Sequence, residues 1–336
     1  MSKPSPKLRA RRRIVAAVLL AVALPPLLWV GNVYWKNLDS ARQALPTSAP
    51  LAARERLLIF APHPDDETLG AGGLIAQARK RGIPVRVIFF TNGDGSRAAK
   101  FAVELQQRRR VNFVQIAALR QKEALAAAKN LGVSEKDVVF LGYPDGGTKQ
   151  LLKHWRREDL FRSPFTNATH TPYANARTKN AAYCGAQALD DVIGVLRDFK
   201  PTTVVTTHPR DTNTDHQAAY IFMEKAMGKM ASHARLLTFV VHQGVWPAPY
   251  GYLPDANLAP PATLRNAQTI WQQTPLDDAA RRAKKSALEC YGSQLATTPR
   301  FLRSFVRRNE LFGAWRGENL PVHSAESHPP SLIPRP

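Results

Sequence analysis

The chain has 336 residues and a formal net charge of +21, from 47 Lys and Arg against 26 Asp and Glu, and this length fits one large α/β unit with terminal extensions. The basic residues are scattered and no nucleic-acid-binding motif accompanies them, so we expect no nucleic acid partner and favour anionic lipid headgroups or an acidic glycan. Only Cys184 and Cys290 are present, which excludes a disulfide framework and a Cys-based zinc site but leaves open one bridge or two separate thiols.

An apolar stretch near the N-terminus predicts a transmembrane helix. Residues 14–30 carry no charge, and several Lys and Arg residues precede them without any acidic residue. A spanning helix needs about 20 mostly apolar residues, and flanking positive charge stays in the cytoplasm. We therefore expect residues 1–36 to be a cytoplasmic basic segment and a membrane anchor, with the catalytic domain outside the cytoplasm, on the periplasmic or extracellular face. A cleaved signal peptide and secretion are the alternative.

Composition also suggests the limits of the domain. Residues 37–54 contain several Pro, Ser and Ala residues and are predicted to be a linker between the membrane and the domain. Residues 55–315 are predicted to form the catalytic domain. The Pro-rich residues 316–336 are predicted to be a flexible tail.

Between residues 55 and 245, short β-branched runs alternate with longer amphipathic stretches, the pattern of a mainly parallel sheet covered by helices. The predicted strands are 57–61, 85–91, 138–143, 203–207 and 236–241. The predicted helices are 68–81, 120–131, 186–199 and 217–230. This order indicates a Rossmann-like α/β fold with helices flanking the sheet, in which ligands bind beyond the carboxyl ends of the strands.

Histidines and carboxylates directly follow two of these strands. His63, Asp65 and Asp66 lie in the turn after the first strand, and a second group, from His208 to His216, follows the fourth. Because the carboxyl ends of parallel strands meet at one edge of a sheet, we expect the two groups to converge. Two imidazoles and a carboxylate, with a fourth position left for water, describe a catalytic zinc site. The residue types alone assign His63, either Asp65 or Asp66, and His216 as ligands.

The two groups together carry a specific resemblance. Residues 61–67, A-P-H-P-D-D-E, closely resemble the A-H-P-D-D-E signature of the PIG-L/LmbE-like N-acetyl-sugar deacetylases. The second group matches that family's H-P-x-D-x-H-x-D-H pattern except at Asn213, and the similarity covers roughly residues 55–245. The resemblance implies that Zn²⁺ is held by His63, Asp66 and His216.

The resemblance also implies roles for residues beside the metal. Asp65 would be the general base, and Asp215 would orient or tune the neighbouring imidazole. Where the family pattern has a histidine that stabilises the oxyanion, this chain has Asn213, whose amide donates a hydrogen bond but supplies no positive charge and no proton. His208 either takes over that role or supports the metal site from outside it.

Polar residues near other strand ends are candidates for substrate contact. By the resemblance, Arg120 and Asp145 would lie near the sugar, although a surface salt bridge would explain either residue. Asn92 and Asp94 follow the second strand in the sequence T-N-G-D-G, which offers groups for sugar hydroxyls or forms an ordinary turn. Residues 146–185, rich in Asn, Thr and Tyr, are expected to cap the pocket and select the substrate.

Together these features predict a zinc-dependent hydrolase that cleaves the linear amide bond of an N-acetylated amino sugar or its glycoconjugate. An amide resists neutral water, and zinc both polarises the carbonyl and lowers the pKa of water toward about 7. One alternative is a membrane-tethered glycan-binding protein whose catalysis is weakened by Asn213. Another is a metal-dependent phosphoesterase, which needs more metal ligands than the sequence supplies.

Overall fold

The computed structural model describes residues 6–42 and 44–317. Its strands are β1 (Leu57–Ala61), β2 (Val85–Thr91), β3 (Val138–Tyr143), β4 (Thr203–Thr207), β5 (Arg235–Phe239), β6 (Thr269–Pro275) and β7 (Asn309–Trp315). Its α-helices are α1 (Pro6–Ser40), α2 (Asp66–Lys80), α3 (Arg97–Gln107), α4 (Phe113–Asn130), α5 (Gly185–Phe199), α6 (Thr214–Lys229), α7 (Asp278–Leu288), α8 (Gly292–Leu295) and α9 (Pro299–Arg303). The chain therefore alternates strands and helices as the hydrophobic pattern predicts.

The strands form one sheet in the order β3-β2-β1-β4-β5-β7-β6. The first five strands are parallel, and Ile59 in β1 lies opposite Val87 in β2 and Val205 in β4. β6 and β7 pair antiparallel and join the sheet at Thr238 of β5. The prediction of a mainly parallel, Rossmann-like sheet flanked by helices is confirmed. The strand order reverses between β1 and β4, which is where such sheets bind ligands.

Alternating side chains of the central strand separate the core into two layers. Leu57, Ile59 and Ala61 pack with α2, α4 and α7 on one face, and Leu58 and Phe60 pack with α5 and α6 on the other. Burial on both faces explains why β1 is apolar throughout rather than alternating.

Several element bounds differ from the predictions. The predicted strand 236–241 is observed as Arg235–Phe239, and the predicted helix 120–131 begins earlier because Asn112 and Gln115 form a capping box in front of Phe113. The elements α3, α7, α8, α9, β6 and β7 were not predicted. Cys184 and Cys290 are free thiols, so the alternative of a disulfide between them is wrong.

The N-terminal prediction is not supported. None of the helices within residues 6–42 and 44–317 has the length and hydropathy of a membrane-spanning segment. Residues 1–5, together with the side chains of residues 6–14, 16–18, 20 and 21, lie outside the description, so part of the predicted span 14–30 does too. α1 contains Pro25 and Pro26, and its last turns pack on the domain, where Asn37 accepts a hydrogen bond from the Ala262 N–H.

The predicted linker is not a free tether. Its first residues, from Asn37 to Ser40, are the end of α1, and both of these side chains are buried. Farther along, the Ser48 N–H donates to the Gln273 carbonyl, so this segment runs beside β6. These parts of the segment therefore pack on the domain. Most of the predicted tail, residues 318–336, lies outside the described residues.

Candidate active site

Three buried side chains meet at the carboxyl ends of β1 and β4. His63 follows β1, Asp66 begins α2, and His216 lies in the first turn of α6. His63 Nδ1 lies 3.1 Å from Asp66 Oδ2, His216 Nε2 lies 3.2 Å from the same oxygen, and the two imidazole nitrogens are 3.3 Å apart. The three residues predicted as metal ligands are therefore together, and each turns one ligand atom to a common point.

The spacing of these atoms suits a small divalent cation. With metal–ligand bonds of about 2.0–2.1 Å, a tetrahedral site separates its ligand atoms by roughly 3.4 Å. The three observed separations, 3.1, 3.2 and 3.3 Å, are close to that value. Nitrogen and carboxylate donors without thiolate are also the usual ligands of a catalytic site. The residues present therefore fit a bound metal ion.

The far nitrogen of each imidazole faces carboxylates. His63 Nε2 lies 3.2 Å from Asp145 Oδ1 and 3.3 Å from Asp215 Oδ2. His216 Nδ1 lies 3.2 Å from Asp211 Oδ2. Such contacts fix the orientation of a ligating ring and raise its basicity. Asp215, expected beside its neighbour His216, thus contacts His63 instead, and Asp211 is a site residue that the sequence analysis missed.

The buried carboxylates give this site a strong preference for positive charge. Burial lowers the pKa of His216, but Asp66 and Asp211 raise it more, to about 10. Burial likewise lowers the pKa of His63, and Asp145, Asp215 and Asp66 together hold it well above the usual value. A cluster that attracts protons this strongly when metal-free also attracts a divalent cation.

Asp65 is held toward the cleft by an unusual backbone conformation. Its φ is 127°, and its N–H donates to Glu67 Oε2 at 3.1 Å. The opposite oxygen of Glu67 accepts a hydrogen bond from the Tyr291 hydroxyl at 2.5 Å. Arg120 Nη2 lies 3.3 Å from Asp65 Oδ2. Burial, opposed by Arg120 and reinforced by Asp66, raises the pKa of Asp65 to about 8.

A cleft of about 430 Å³ opens above these residues. Asp65, Arg120, Asp145 and Asn213 line it, as predicted for residues near the substrate. Their other contacts are now defined. The Asn213 side-chain oxygen Oδ1 caps α6 by accepting from the Asp215 N–H, and Arg120 also donates to the Pro64 and Gly93 backbone carbonyls. Arg120 therefore holds two loops together as well as facing the cleft.

His242 is a further cleft residue that the sequence analysis missed. It lies shortly after β5, its ring centroid is 4.9 Å from that of His216, and its ring stacks on Phe301 at 5.7 Å. Its N–H donates to Asp211 Oδ2 at 3.0 Å, which fixes its backbone. The rule that pointed to His63 and His216, a histidine at the carboxyl end of a strand, also applies to His242 and would have found it.

The structure does not bring four other predicted contacts to the cleft. Asn92 and Asp94 are buried beneath it, because Gly93 turns the chain with a φ of 66°, and Gly95 and Ser96 line the cleft in their place. His208 lies outside the cleft lining: its Nδ1 accepts from the Arg210 N–H and its Nε2 lies 3.1 Å from Thr269 Oγ1.

Residues 146–185, which we expected to cap the pocket, are the fourth predicted feature that does not reach the cleft. They contribute no side chain to the cleft lining. Residues 241–250 and 294–302 border the cleft instead, including Tyr250, Gln294 and Phe301. Substrate selection is therefore expected from the C-terminal part of the domain.

Comparison with known proteins places these features in a family. Residues 58–227 match the family model described as PIG-L: GlcNAc-PI de-N-acetylase. The chain is 29% identical over 293 residues to a 1D-myo-inositol 2-acetamido-2-deoxy-alpha-D-glucopyranoside deacetylase of Mycobacterium sp. (strain JLS), covering 77% of this chain and 81% of the relative. It is 31% identical over 255 residues to the protein of the same name from Mycobacterium sp. (strain KMS), covering 71% and 69%.

A solved structure shares the fold. The crystal structure of the A40926 pseudoaglycone deacetylase Dbv21 superposes with a TM-score of 0.50, covering 79% of this chain and 99% of that chain. The sequence identity between them is 18%. At this identity the similarity concerns the arrangement of strands and helices and carries no information on the substrate.

Proposed function

Because this chain belongs to the PIG-L/LmbE-like deacetylase family, we propose that it is a zinc-dependent hydrolase that removes the acetyl group from an N-acetylated amino sugar or its glycoconjugate. The main support for this proposal is the ligand triangle, formed by one ligand atom each of His63, Asp66 and His216. The separations of 3.1–3.3 Å between these atoms suit one small divalent cation. When bound, zinc would act as a Lewis acid on the amide carbonyl and make water a nucleophile near neutral pH.

Asp65 is the proposed proton carrier. Its carboxylate lines the cleft beside Asp66, outside the ligand triangle, and contacts Arg120. Beside a bound cation its ionised form would be favoured, so it would accept a proton from the attacking water and return it to the departing sugar nitrogen. The hydrogen bond from the Asp65 N–H to Glu67 fixes the backbone of this residue, and Arg120 contacts its carboxylate, which together remove part of the entropic cost of orienting it.

Two donors are proposed for the negative charge that develops on the carbonyl oxygen. The Asn213 oxygen is occupied by the Asp215 N–H, so the amide nitrogen is the group that Asn213 can offer to the cleft. The His242 imidazole lines the same cleft next to His216. A preorganised donor of this kind accelerates hydrolysis because it binds the oxyanion more strongly than the ground-state carbonyl. His208 is not a proposed oxyanion donor, because it lies outside the cleft lining.

The proposed substrate class follows from the relatives and the cleft. The two mycobacterial relatives are named as deacetylases of an N-acetylated glucosamine linked to inositol. A cleft of about 430 Å³ is within the range of small-ligand sites and suits one sugar with part of its attached group. We therefore infer an N-acetylglucosamine glycoside rather than a phosphoester.

Acetate release tests this proposal. The purified chain is incubated with several N-acetylglucosamine glycosides, with and without a chelator, and zinc is then added back. We expect release that stops with the chelator and returns with zinc. No release from any of these glycosides by the zinc-loaded protein would overturn the proposal, and binding of the glycosides without hydrolysis would favour a glycan-binding protein.

A further inference from the structure

Outside α1, two segments of the described chain that adjoin the cleft expose large apolar side chains. Outside α1, the exposed large apolar side chains in the described part of the chain are Phe101, Leu105, Tyr250, Tyr252 and Leu253. They belong to two segments, α3 and the loop 250–253. Both segments also line the cleft, through Ser96 at the N-cap of α3 and through Tyr250.

α3 turns an apolar stripe to the outside of the domain. Ala99 and Val103 point inward and are buried, whereas Ala98, Phe101 and Leu105, spaced three and four residues apart, are exposed. Phe101 and Leu105 are 69% and 70% exposed. A surface helix normally carries polar residues on this outer face. The stripe is therefore a candidate contact surface.

Basic side chains accompany both apolar segments. The exposed residues 108–110, three consecutive arginines, directly follow α3. On the other side of the cleft, exposed Arg300 acts electrostatically on Tyr250, and Lys285 Nζ lies 5.4 Å from the ring centroid of Tyr252. Apolar residues flanked by Lys and Arg are typical of segments that lie in the interface of an anionic bilayer.

We propose that α3, residues 108–110 and the loop 250–253, together called the rim, dock the mouth of the cleft onto a bilayer containing anionic lipids. Phe101, Leu105 and the loop side chains insert at the boundary of the acyl chains, and the arginines contact the headgroups. An apolar contact with another protein would use the stripe but would not call for an arginine run beside it. This docking does not depend on the proposed reaction.

A fluorescent probe on α3 tests the docking directly. The full-length chain with Cys290→Ser keeps only the buried Cys184, and Phe101→Cys then accepts an environment-sensitive fluorophore. A matched protein carries the label at Lys136→Cys, exposed at the amino end of β3 and away from the cleft. A local probe is needed because α1 exposes apolar side chains of its own.

We expect vesicles of phosphatidylcholine and phosphatidylglycerol to raise and blue-shift the emission at position 101 but not at position 136. Each basic residue near such a surface contributes about fivefold in affinity, so replacing the arginines with Arg108→Gln, Arg109→Gln and Arg110→Gln should raise the lipid concentration needed by roughly 10²-fold. Substituting Gln at Lys129, Lys136 and Arg156, which are also exposed, is the matched charge control and should have little effect.

Three outcomes would overturn the proposal. Equal changes at positions 101 and 136 would mean that α3 does not enter the bilayer. An undiminished response on pure phosphatidylcholine, or after the arginine substitutions, would show that electrostatic attraction to anionic lipids does not contribute to the docking. A response at position 101 that grows with protein concentration in the absence of vesicles would place a second copy of the chain on the rim.

Discussion

Replacing His208 by glutamine should change how stability depends on pH while leaving turnover nearly intact. The His208 ring is fully buried, stacks on Trp271 at 5.5 Å, and directs both nitrogens to groups outside the cleft. Burial lowers its pKa to about 4, from 6.5 in a solvated chain. The folded protein therefore holds this imidazole neutral over a pH range in which the unfolded chain protonates it.

The magnitude follows from linkage. Below pH 6.5 the unfolded state binds the proton and the folded state does not, so the free energy of unfolding falls as the pH drops from 6.5 to about 4. At 1.36 kcal/mol per unit of pKa difference, the total loss is about 3 kcal/mol. Above pH 6.5 the imidazole is neutral in both the folded and the unfolded state, so this loss of stability is absent there. His208→Gln removes the titration, although it lowers stability at neutral pH by disturbing the packing.

Urea unfolding between pH 7 and 4 measures the difference between wild type and variant, and acetate release at pH 7 measures turnover. We expect the stability gap between the two proteins to narrow by about 3 kcal/mol as the pH falls through this range. Parallel pH profiles would refute the assignment of a buried neutral imidazole. A loss of turnover by about 10²-fold or more in a folded, metal-loaded variant would show that His208 acts in catalysis.

Three further predictions concern the site and the location of the chain. Asp65→Asn should keep its metal but lose about 10²- to 10⁴-fold in turnover, as metal analysis and kinetics can check, and loss of the metal would exchange the roles of Asp65 and Asp66. His242→Phe keeps the stacking on Phe301 but removes the hydrogen-bond donor, so kcat should fall by about 10²- to 10³-fold with little change in KM, and His242→Gln should recover part of this loss. If His242→Phe stays fully active, Asn213 is the group that binds the oxyanion, and Asn213→Ala tests this in the same assay. A reporter fused after residue 54 should lie outside the cytoplasm, as the basic residues before the uncharged stretch 14–30 predict, and a cytoplasmic reporter would refute that prediction.

Local signals were sufficient for the parallel core and for the two histidines of the ligand triangle. β1 to β4 have the predicted bounds because each is a short β-branched run, buried on both faces and ended by turn residues. His63 and His216 were found because the carboxyl ends of neighbouring parallel strands must meet. Choosing Asp66 over Asp65 as a ligand required the resemblance, since both carboxylates occupy the same turn.

Other features depend on contacts between distant parts of the chain. His242 reaches the site because Asp211, 31 residues earlier, accepts hydrogen bonds from the Val241 and His242 N–H groups. Asp94 is buried because the conformation of Gly93 turns it inward, although its sequence resembles an exposed turn. Asp215 contacts His63 and accepts hydrogen bonds from the Gly146 and Thr148 N–H groups, all of them distant in the sequence. A single sequence contains these interactions but does not reveal their pairing.

The metal content of matched variants tests the central claim most directly. His63→Ala, Asp66→Ala and His216→Ala each remove one corner of the ligand triangle, and His208→Gln is the control at a buried histidine outside it. We expect one zinc ion per chain in the wild type and in His208→Gln, with zinc and acetate release lost together in the other three variants. Full zinc content in those three variants, or two ions per wild-type chain, would contradict it.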